Sequence, residues 1–312
     1  MTALAIDLGG TKLSLAGFTE QGEIVFKHTM AVQNRGGQEL GNVITDEIKK
    51  LAGQNIACIG IAVPGIYHEK EGTVWAPNIK DWDNYPLLAQ VRSQTNIPIA
   101  IDSDRACYIS GEMWMGNAKN CRHAIYLAVG TGIGAGIVVD GTVLRGSHDI
   151  AGAIGWMALQ QPFDEKYIGV GNFEYHASGE GFGRVARELL AKNEKYNGPL
   201  AEKNKEQLTA RDIFAAFEQK DSLAIDVIEI CIRFWGMAVA NLVSLFNPEK
   251  IILGGGVFGP ATKFIDEIKN EARKWAQPIS ITQVRIESSA LGTEAGLYGA
   301  ALLAFQKINN TR

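Results

Sequence analysis

The chain contains few cysteines, and they form no metal-binding or disulfide pattern. Among its 312 residues there are only four cysteines, and no two of them make a CxxC pair. Thiols scattered through apolar surroundings are typical of reduced, buried cysteines rather than of a disulfide framework or a cysteine-ligated zinc site. We therefore expect neither. The four cysteines are Cys58, Cys107, Cys121 and Cys231.

Signals for nucleic acid, membrane and export are also missing. The formal net charge is -4 and no run of basic residues occurs, so the sequence predicts no binding to nucleic acid or to an anionic membrane. Residues 1–6 contain no charged leader or cleavable apolar segment. The apolar stretch 232–246 contains Arg233 and is too mixed for a membrane span. We expect a cytoplasmic protein.

Glycine, by contrast, is abundant, and two glycine-rich turns each follow a short apolar run that predicts a buried strand. Glycine lets backbone N–H groups approach an anion closely, and a threonine hydroxyl adds another donor. No GxxxxGK[ST] string occurs, so neither turn is a P-loop. We expect both turns to bind phosphate, through Gly9, Gly10, Thr11 and Lys12 in the first and Gly130, Thr131, Gly132 and Gly134 in the second.

The surroundings of the two turns indicate an internal duplication. Residues 3–28 read as strand, glycine turn, strand, hairpin and strand, and residues 124–145 repeat that order. Two such units suggest two lobes that face one nucleotide. We expect a smaller N-terminal α/β lobe over residues 1–118, completed by a C-terminal helix at about 293–312, and a larger nucleotide-binding lobe over residues 119–292.

The rest of the chain alternates between helix and strand patterns. A helix is predicted near 40–51, strands at 56–63 and 97–101, mainly helix over 179–247, strands at 250–253 and 281–286, and a final helix over 293–305. The strand at 97–101 runs into Asp102, Ser103 and Asp104 and then a helix. Ligand sites in α/β sheets open at such strand ends.

Two carboxylates are candidates for chemistry. Phosphoryl transfer to an alcohol needs a base near the hydroxyl group, and we assign that role to Asp104. The alternative is that Asp104 or, more readily, Asp102 caps the following helix. Asp7 ends the first strand beside the first turn and is suited to hold Mg²⁺ directly or through water. Its alternative role is to stabilise the turn.

A third glycine cluster, Gly254, Gly255 and Gly256, matches a GxGxxG string with Gly259. A dinucleotide-binding fingerprint would need an acidic residue about 20 positions on, and the region of Lys274 offers none. Two interpretations remain open: a tight turn between a strand and a helix, or a glycine shelf against a nucleotide base and ribose.

Several short sequence strings, spread over nearly the whole chain, resemble those of the ROK family (repressors, uncharacterised reading frames and kinases). The resemblance implies an α/β, two-lobed actin-like sugar-kinase fold with duplicated lobes around a central cleft, a homodimer, and ATP with Mg²⁺ acting on a sugar. By match to the family pattern, Asp104 is the catalytic base. The same match places Asp7 and both turns in the Mg-ATP region and Gly254 to Gly256 beside the nucleoside. It implies that Gly65, Asn78 and Glu174 contact the sugar. The matching strings are residues 7–12, 64–65, 76–78 with Trp82, 103–104 with 111–112, 130–136, 151–152, Glu174 with 177–179, 254–256 and 291–293.

The chain departs from the family pattern around residues 153–172. Family kinases usually show AGE[IL]GH followed by CxCGxxGCxE, whereas this chain has Glu165, Tyr167 and Asn172 where the cysteines would stand. One glutamate, one tyrosine and one asparagine cannot supply a structural zinc site. We expect no zinc, and a loop held instead by packing of Phe163, Tyr167 and Phe173.

The same departures alter the sugar site. Ala153 replaces the family glutamate, Trp156 the histidine, and Ser103 the asparagine before the base. In the family the lost Glu and His reach the C1 and C2 end of the hexose, so discrimination there should be weaker. Trp156 either offers an aromatic face to a second ring or an acyl group, or fills the space left by the zinc module.

Three functions follow from these patterns. The first is an ATP-dependent kinase for a hexose or modified hexose, acting at the 6-hydroxyl. The second, a sugar-responsive repressor, would need an N-terminal helix-turn-helix, for which a first strand beginning at residue 3 leaves no room. The third is a catalytically silent sugar or nucleotide sensor, suggested by the altered sugar motifs.

Overall fold

The computed structural model describes residues 1–51, 53–193 and 195–309, which form alternating strands and helices. The strands are β1 (Thr2–Leu8), β2 (Lys12–Thr19), β3 (Ile24–Ala31), β4 (Ile56–Val63), β5 (Ile66–His68), β6 (Thr73–Trp75), β7 (Ile99–Ser103), β8 (Ala124–Val129), β9 (Ile133–Val139), β10 (Thr142–Val143), β11 (Lys250–Gly254) and β12 (Arg285–Ser288). The α-helices are α1 (Gly37–Leu51), α2 (Leu87–Arg92), α3 (Asp104–Met115), α4 (Asn172–Ala177), α5 (Gly179–Lys192), α6 (Ala210–Glu218), α7 (Ser222–Phe246), α8 (Ile265–Arg273), α9 (Ser280–Gln283) and α10 (Ala295–Asn309).

The chain divides into two compact units. Unit 1 comprises Met1–Asn120, Val143–Ala151 and the segment from Thr293 onward, and unit 2 comprises Cys121–Thr142 and Gly152–Gly292. The predicted domains are residues 1–118 with a helix at about 293–312, and residues 119–292. The segment Val143–Ala151 lies inside the second of these ranges and belongs to unit 1.

Unit 1 is built on a five-stranded sheet with the order β3-β2-β1-β4-β7. β1 pairs antiparallel with β2 and parallel with β4, and β4 pairs parallel with β7. Because side chains alternate along a strand, Leu4 and Ile6 of β1 enter one buried cluster while Ala3 and Ala5 enter another. β1 is therefore covered on both faces.

The second of these faces is closed by α10. Ala300 and Ala304 of α10 share a buried cluster with Ala3 and Ala5 of β1. Small residues on both sides let the helix approach the sheet closely, and Gly60 of β4 has the carbonyl oxygen of Ala300 where a side chain would stand. The helix from the end of the chain thus completes the core that the first strand begins.

Unit 2 repeats the sheet of unit 1. Its strand order is β10-β9-β8-β11-β12, with β8 antiparallel to β9 and parallel to β11, and β11 parallel to β12. The duplication inferred from the two glycine turns is confirmed by this matching topology. The long helix α7 packs in the core, where Trp235 and Val243 are fully buried, and it begins at the N-cap Asp221 and ends at Asn247 in the left-handed region.

Two further expectations can be compared with the structure. All four cysteines are buried and free. No helix in the described ranges is long and apolar enough to cross a membrane.

The predicted strand at 281–286 is wrong in its first half. Residues Ser280–Gln283 form the short helix α9, and the strand β12 begins only at Arg285. The side chain of Gln277 accepts hydrogen bonds from the backbone N–H groups of Ile279 and Ser280 (2.8 and 2.7 Å), which stabilises the turn into this helix. The residue types of 281–286 did not reveal this local side-chain bond.

Candidate active site

The end of β7 presents the carboxylate assigned as the base. Ser103 is the N-cap of α3, and its Oγ accepts a hydrogen bond from the N–H group of Ala106 at 3.3 Å. Asp104 is the first residue of the helix, and its carboxylate accepts hydrogen bonds from Arg105 N (2.7 Å) and from the Tyr108 hydroxyl (3.3 Å). The capping alternative for Asp102 and Asp104 is therefore wrong, because Ser103 performs that role.

The environment of Asp104 favours a proton acceptor. Burial raises the pKa of the Asp104 carboxyl group above its usual value, while the charge and backbone N–H group of Arg105 and the hydroxyl of Tyr108 act in the opposite direction. A carboxylate with a raised pKa binds a proton more strongly at neutral pH, which suits a general base. The geometry and the electrostatics of Asp104 both agree with the role that the sequence predicts.

Asp102 has a different partner that the sequence analysis did not find. Arg145 forms a bidentate ion pair with Asp102, with Nη1–Oδ1 and Nη2–Oδ2 distances of 2.7 and 2.6 Å. Asp102 is only 5% exposed, and it also accepts a hydrogen bond from Ser103 N at 2.8 Å. Since Arg145 lies on the segment Val143–Ala151, this pair fixes that segment to the end of β7 within unit 1.

The first glycine turn has donors available for an anion. A hydrogen bond from Gly9 N to Lys12 O (2.8 Å) closes the turn. Within the described ranges, the N–H groups of Gly10 and Thr11 donate to no acceptor, and both residues are exposed. Lys12 is the first residue of β2 and is also exposed. The turn therefore fits a phosphate group.

Asp7, in β1 before this turn, interacts electrostatically with Asp104. Burial raises the pKa of Asp7 to about 7, and the negative charge of Asp104 adds to the increase. Gly296, at the start of α10, approaches so closely that a side-chain carbon there would lie 2.5 Å from Asp7 Oδ2. A divalent cation would offset the repulsion between the Asp7 and Asp104 carboxylates, so the residues present fit Mg²⁺ at Asp7.

The structure brings two of the predicted sugar contacts close to these elements of unit 1. Arg105 Nη2 donates a hydrogen bond to Gly65 O at 3.1 Å, which places Gly65 beside the start of α3. Asn78 lies at the first glycine turn, since a side-chain carbon at Gly10 would be 3.9 Å from Asn78 Cβ. Gly65 thus contacts the Arg105 side chain, and Asn78 neighbours the first turn.

The second glycine turn, in unit 2, resembles the first. Gly130 N donates to Gly132 O at 2.9 Å, and Gly179 N donates to Gly130 O at 2.7 Å. The N–H groups of Thr131 and Gly132 have no acceptor within the part of the chain that the structure describes. Gly134 is not part of the turn, because it is buried inside β9 opposite Ala128. We therefore no longer count Gly134 among the phosphate donors.

The third glycine cluster forms a tight turn, as the first of its two interpretations predicts, and its role as a shelf for a nucleoside stays a prediction. Gly254 ends β11 against the Tyr126 side chain, and Gly255 has φ of +90°, so packing and backbone conformation require glycine at both. A side-chain carbon at Gly256 would meet nothing within 4 Å. A short 3-10 helix follows, over Gly256–Phe258, instead of the α-helix of a dinucleotide fingerprint. Only Gly256 offers open backbone to a ligand.

The segment that departs from the family pattern is held by a mixture of packing and hydrogen bonds. Tyr167 and Phe173 are buried, and Phe163 packs edge-on against Tyr167 with ring centroids 6.4 Å apart, although it is 73% exposed and lies outside the core. Asn172 Oδ1 accepts hydrogen bonds from the N–H groups of Leu159 (3.0 Å) and Gln160 (3.1 Å). No group of three His, Cys, Asp or Glu side chains that could hold a metal ion occurs within residues 1–51, 53–193 and 195–309.

Ala153 and Trp156, which differ from the family pattern, flank and end the short 3-10 helix Ile154–Trp156. Ala153 is its N-cap and is partly buried, and Trp156 is its last residue. The Trp156 side chain is 57% exposed, so it does not fill a buried space. The space-filling alternative is therefore wrong, and the indole remains available for contact.

Glu174 of α4 lies against the second glycine turn. Its Oε2 accepts a hydrogen bond from Ile133 N at 2.7 Å, and burial raises the pKa of the carboxyl group. This contact was not predicted from the sequence, because 41 positions separate the two residues and no local pattern links them. The structure thus gives Glu174 a partner on the turn, in addition to the sugar contact expected from the resemblance.

Comparison with known proteins gives consistent results. A family model described as "ROK family" matches residues 3–307. The chain is 31% identical to a glucokinase from Halalkalibacterium halodurans, over 98% of this chain and 96% of that protein. It is also 31% identical to a putative xylose repressor from a Caldicellulosiruptor species, over 96% of this chain and 77% of that protein. A ROK family glucokinase from Streptomyces griseus, solved with glucose and AMPPNP, superimposes with a TM-score of 0.83 at 28% identity and covers 98% of this chain and 100% of its own.

Proposed function

The chain belongs to the ROK family and has the two-lobed, actin-like α/β fold of its sugar kinases, and from this premise we propose that it phosphorylates a sugar with ATP. The substrate class is a hexose or a modified hexose, and the acceptor is the 6-hydroxyl group. The observation that carries the proposal is Asp104, a partly buried carboxylate at the end of β7 whose pKa is raised and which is not consumed as a helix cap.

Asp104 acts as the general base. Phosphoryl transfer forms a bond between the acceptor oxygen and the γ-phosphorus, and it breaks the bond from that phosphorus to the oxygen that stays with ADP. The proton of the acceptor hydroxyl must leave as the new bond forms, and the Asp104 carboxylate receives it. The Tyr108 hydroxyl and the Arg105 N–H group fix the orientation of that carboxylate.

The donor nucleotide binds through backbone groups and one carboxylate. When bound, Mg²⁺ neutralises negative charge on the phosphates. Asp7 would hold this ion directly or through water, and N–H groups of each glycine turn would bind phosphate oxygens. Gly254 and Gly255 shape the turn beside the nucleoside, and Gly256 contacts the ligand. The residues assigned to phosphate are Gly9, Gly10, Thr11, Lys12, Gly130, Thr131 and Gly132.

The sugar site is altered at the C1 and C2 end. Gly65, Asn78 and Glu174 contact the sugar, while Ala153 supplies no polar group. The exposed indole of Trp156 supports contact with a substituent, either a second ring or an acyl group. We therefore propose that a substituent at C1 or C2 is tolerated, because a site without hydrogen-bonding groups there rejects it only weakly.

The test is ATP consumption by purified protein with Mg²⁺ and a panel of hexoses, amino sugars, β-glucosides and disaccharides. At least one sugar should support turnover. Asp104→Asn should lower kcat by about 10² to 10⁴-fold, the contribution of a general base, while nucleotide affinity is retained. Asp83→Asn is the matched control, because Asp83 is exposed and lies outside the assigned site. Equal turnover by Asp104→Asn and the parent chain would contradict the assignment of Asp104.

A second candidate is a silent sensor of the same fold. Its support is that Ser103, at the position of the family asparagine, uses its hydroxyl as the helix cap. Nucleotide binding without turnover on any sugar would favour this candidate over the kinase. We also propose a cytoplasmic homodimer, which sedimentation and cell fractionation would test.

A further inference from the structure

Glu174 is held at the place where three backbone segments of unit 2 meet. Its Oε2 accepts a hydrogen bond from the N–H group of Ile133, the residue that follows Gly132 in the second glycine turn. A side-chain carbon at Gly132 would lie 2.8 Å from this oxygen, and one at Gly155 would lie 2.9 Å from it. The carboxylate therefore occupies the space that side chains at both glycines would need.

Each of these neighbours belongs to a different part of the site. Gly132 belongs to the turn whose N–H groups we assign to phosphate, and Ile133 begins the strand β9 that follows it. Gly155 belongs to the 3-10 helix Ile154–Trp156, which carries the altered sugar-site residue. Glu174 itself lies in the first turn of α4. Its carboxylate is thus the shared contact of the turn, the 3-10 helix and α4.

We propose that Glu174 is a positioning residue that holds the second glycine turn in its phosphate-binding conformation. This inference rests on the proposed nucleotide binding and goes beyond a sugar contact for Glu174. Ile133 is buried, so its N–H group needs an acceptor inside the protein. The Glu174 carboxylate provides it, and the preceding N–H groups of Thr131 and Gly132 donate to no acceptor among the described residues.

The contribution of Glu174 is geometric rather than electrostatic. A negative charge beside a phosphate turn opposes an anionic ligand, so the charge itself gives no advantage. The amide oxygen of glutamine can accept the same hydrogen bond from Ile133 N, whereas alanine cannot. Glutamine should therefore preserve nucleotide binding, and alanine should weaken it.

The experiment measures binding of Mg-AMPPNP, without sugar, to the parent chain, Glu174→Gln and Glu174→Ala by calorimetry. We expect Glu174→Ala to bind roughly tenfold more weakly, which lies within the range for the loss of one intramolecular hydrogen bond, and Glu174→Gln to bind like the parent. In turnover assays the KM for ATP should rise in Glu174→Ala and stay unchanged in Glu174→Gln. Glu165→Ala is the matched control, because Glu165 is exposed and outside the site.

A second pair of variants tests the same contact from the turn. All three close neighbours of a side-chain carbon at Gly132 are atoms of the Glu174 carboxylate. Gly132→Ala alone should weaken nucleotide binding, whereas in the Glu174→Ala background it should add little. If Glu174→Ala does not fold, as judged by its thermal melt, weaker nucleotide binding by Gly132→Ala supports the inference and unchanged binding overturns it.

The outcomes separate this inference from the proposed function. If the parent and Glu174→Ala bind the nucleotide equally while the sugar KM alone rises, Glu174 is only a sugar contact and the inference is wrong. If the parent binds no nucleotide at all, both the inference and the proposed kinase are wrong. If nucleotide affinity follows the expected order but no sugar is phosphorylated, the inference stands and the kinase proposal fails.

Discussion

Replacing Asp7 with asparagine should stabilise the ligand-free protein, and the gain should depend on pH. The carboxyl group of Asp7 has its pKa raised by burial and by the charge of Asp104, from an ordinary value of 3.8 to about 7. Asparagine has nearly the same shape and cannot ionise. No side-chain hydrogen bond of Asp7 is present among the described residues, so the substitution removes no such bond.

The size of the effect follows from proton linkage. Below pH 3.8 the carboxyl group is protonated in both states, and it contributes no difference. Between pH 3.8 and 7 the unfolded chain releases this proton while the folded protein keeps it, so the stability of the parent chain falls by about 1.36 kcal/mol per pH unit. Above pH 7 both states are ionised, and the full cost of about 4 kcal/mol remains.

Urea unfolding of the parent chain and Asp7→Asn at pH 4, 6 and 8 measures this cost. The variant should be nearly as stable as the parent at pH 4 and more stable at pH 8, by up to about 4 kcal/mol. Asp83→Asn, at an exposed site, should show no such trend. A gap that stays constant from pH 4 to 8, or a variant less stable than the parent at pH 8, would refute the reasoning. The stabilised variant should also lose Mg-dependent turnover.

Three other substitutions or treatments have defined outcomes. Arg145→Ala leaves the Asp102 carboxylate buried without its ion-pair partner and should lower the free energy of unfolding by about 3 kcal/mol in urea titrations. The double variant Arg145→Gln with Asp102→Asn should lose less unfolding free energy, since no buried charge remains. Gly299→Ala places a methyl group against the backbone of α3 and should lower the free energy of unfolding by about 1 to 3 kcal/mol. Its control, Gly53→Ala, has no neighbour within 4 Å of the new methyl group and should leave the free energy of unfolding nearly unchanged. EDTA should not shift the melting temperature in Mg-free buffer, because Asn172 takes the place of a zinc-binding cysteine and binds backbone N–H groups.

The repeated sheets could be predicted because their signal is local. Apolar runs followed by glycine turns indicate strands, and the same order at two places indicates duplication. The predicted strand 56–63 coincides with β4. The role of Ser103 could also have been found, since serine before a helix is a common N-cap. These features depend on neighbours only a few residues away.

The contacts that complete the site could not be predicted in this way. Arg145 is 43 positions from Asp102, and Ile133 is 41 positions from Glu174, so each pair meets only in the folded chain. The exposure of Trp156 and Phe163 likewise depends on which segments lie beside them. Residue types indicated the chemistry of the site, whereas tertiary packing determined its hydrogen bonds.

The position of α10 in unit 1 has a consequence for the order in which the protein folds during synthesis. Ala3 and Ala5 leave the ribosome about 300 residues before Ala300 and Ala304, which cover them. A nascent chain that has reached only Asn120 therefore carries all five strands of the first sheet, while the apolar surface that α10 will cover is still open to water. The last segment of unit 2 is synthesised by Gly292, before α10. Unit 2 can therefore form its core before unit 1 is complete.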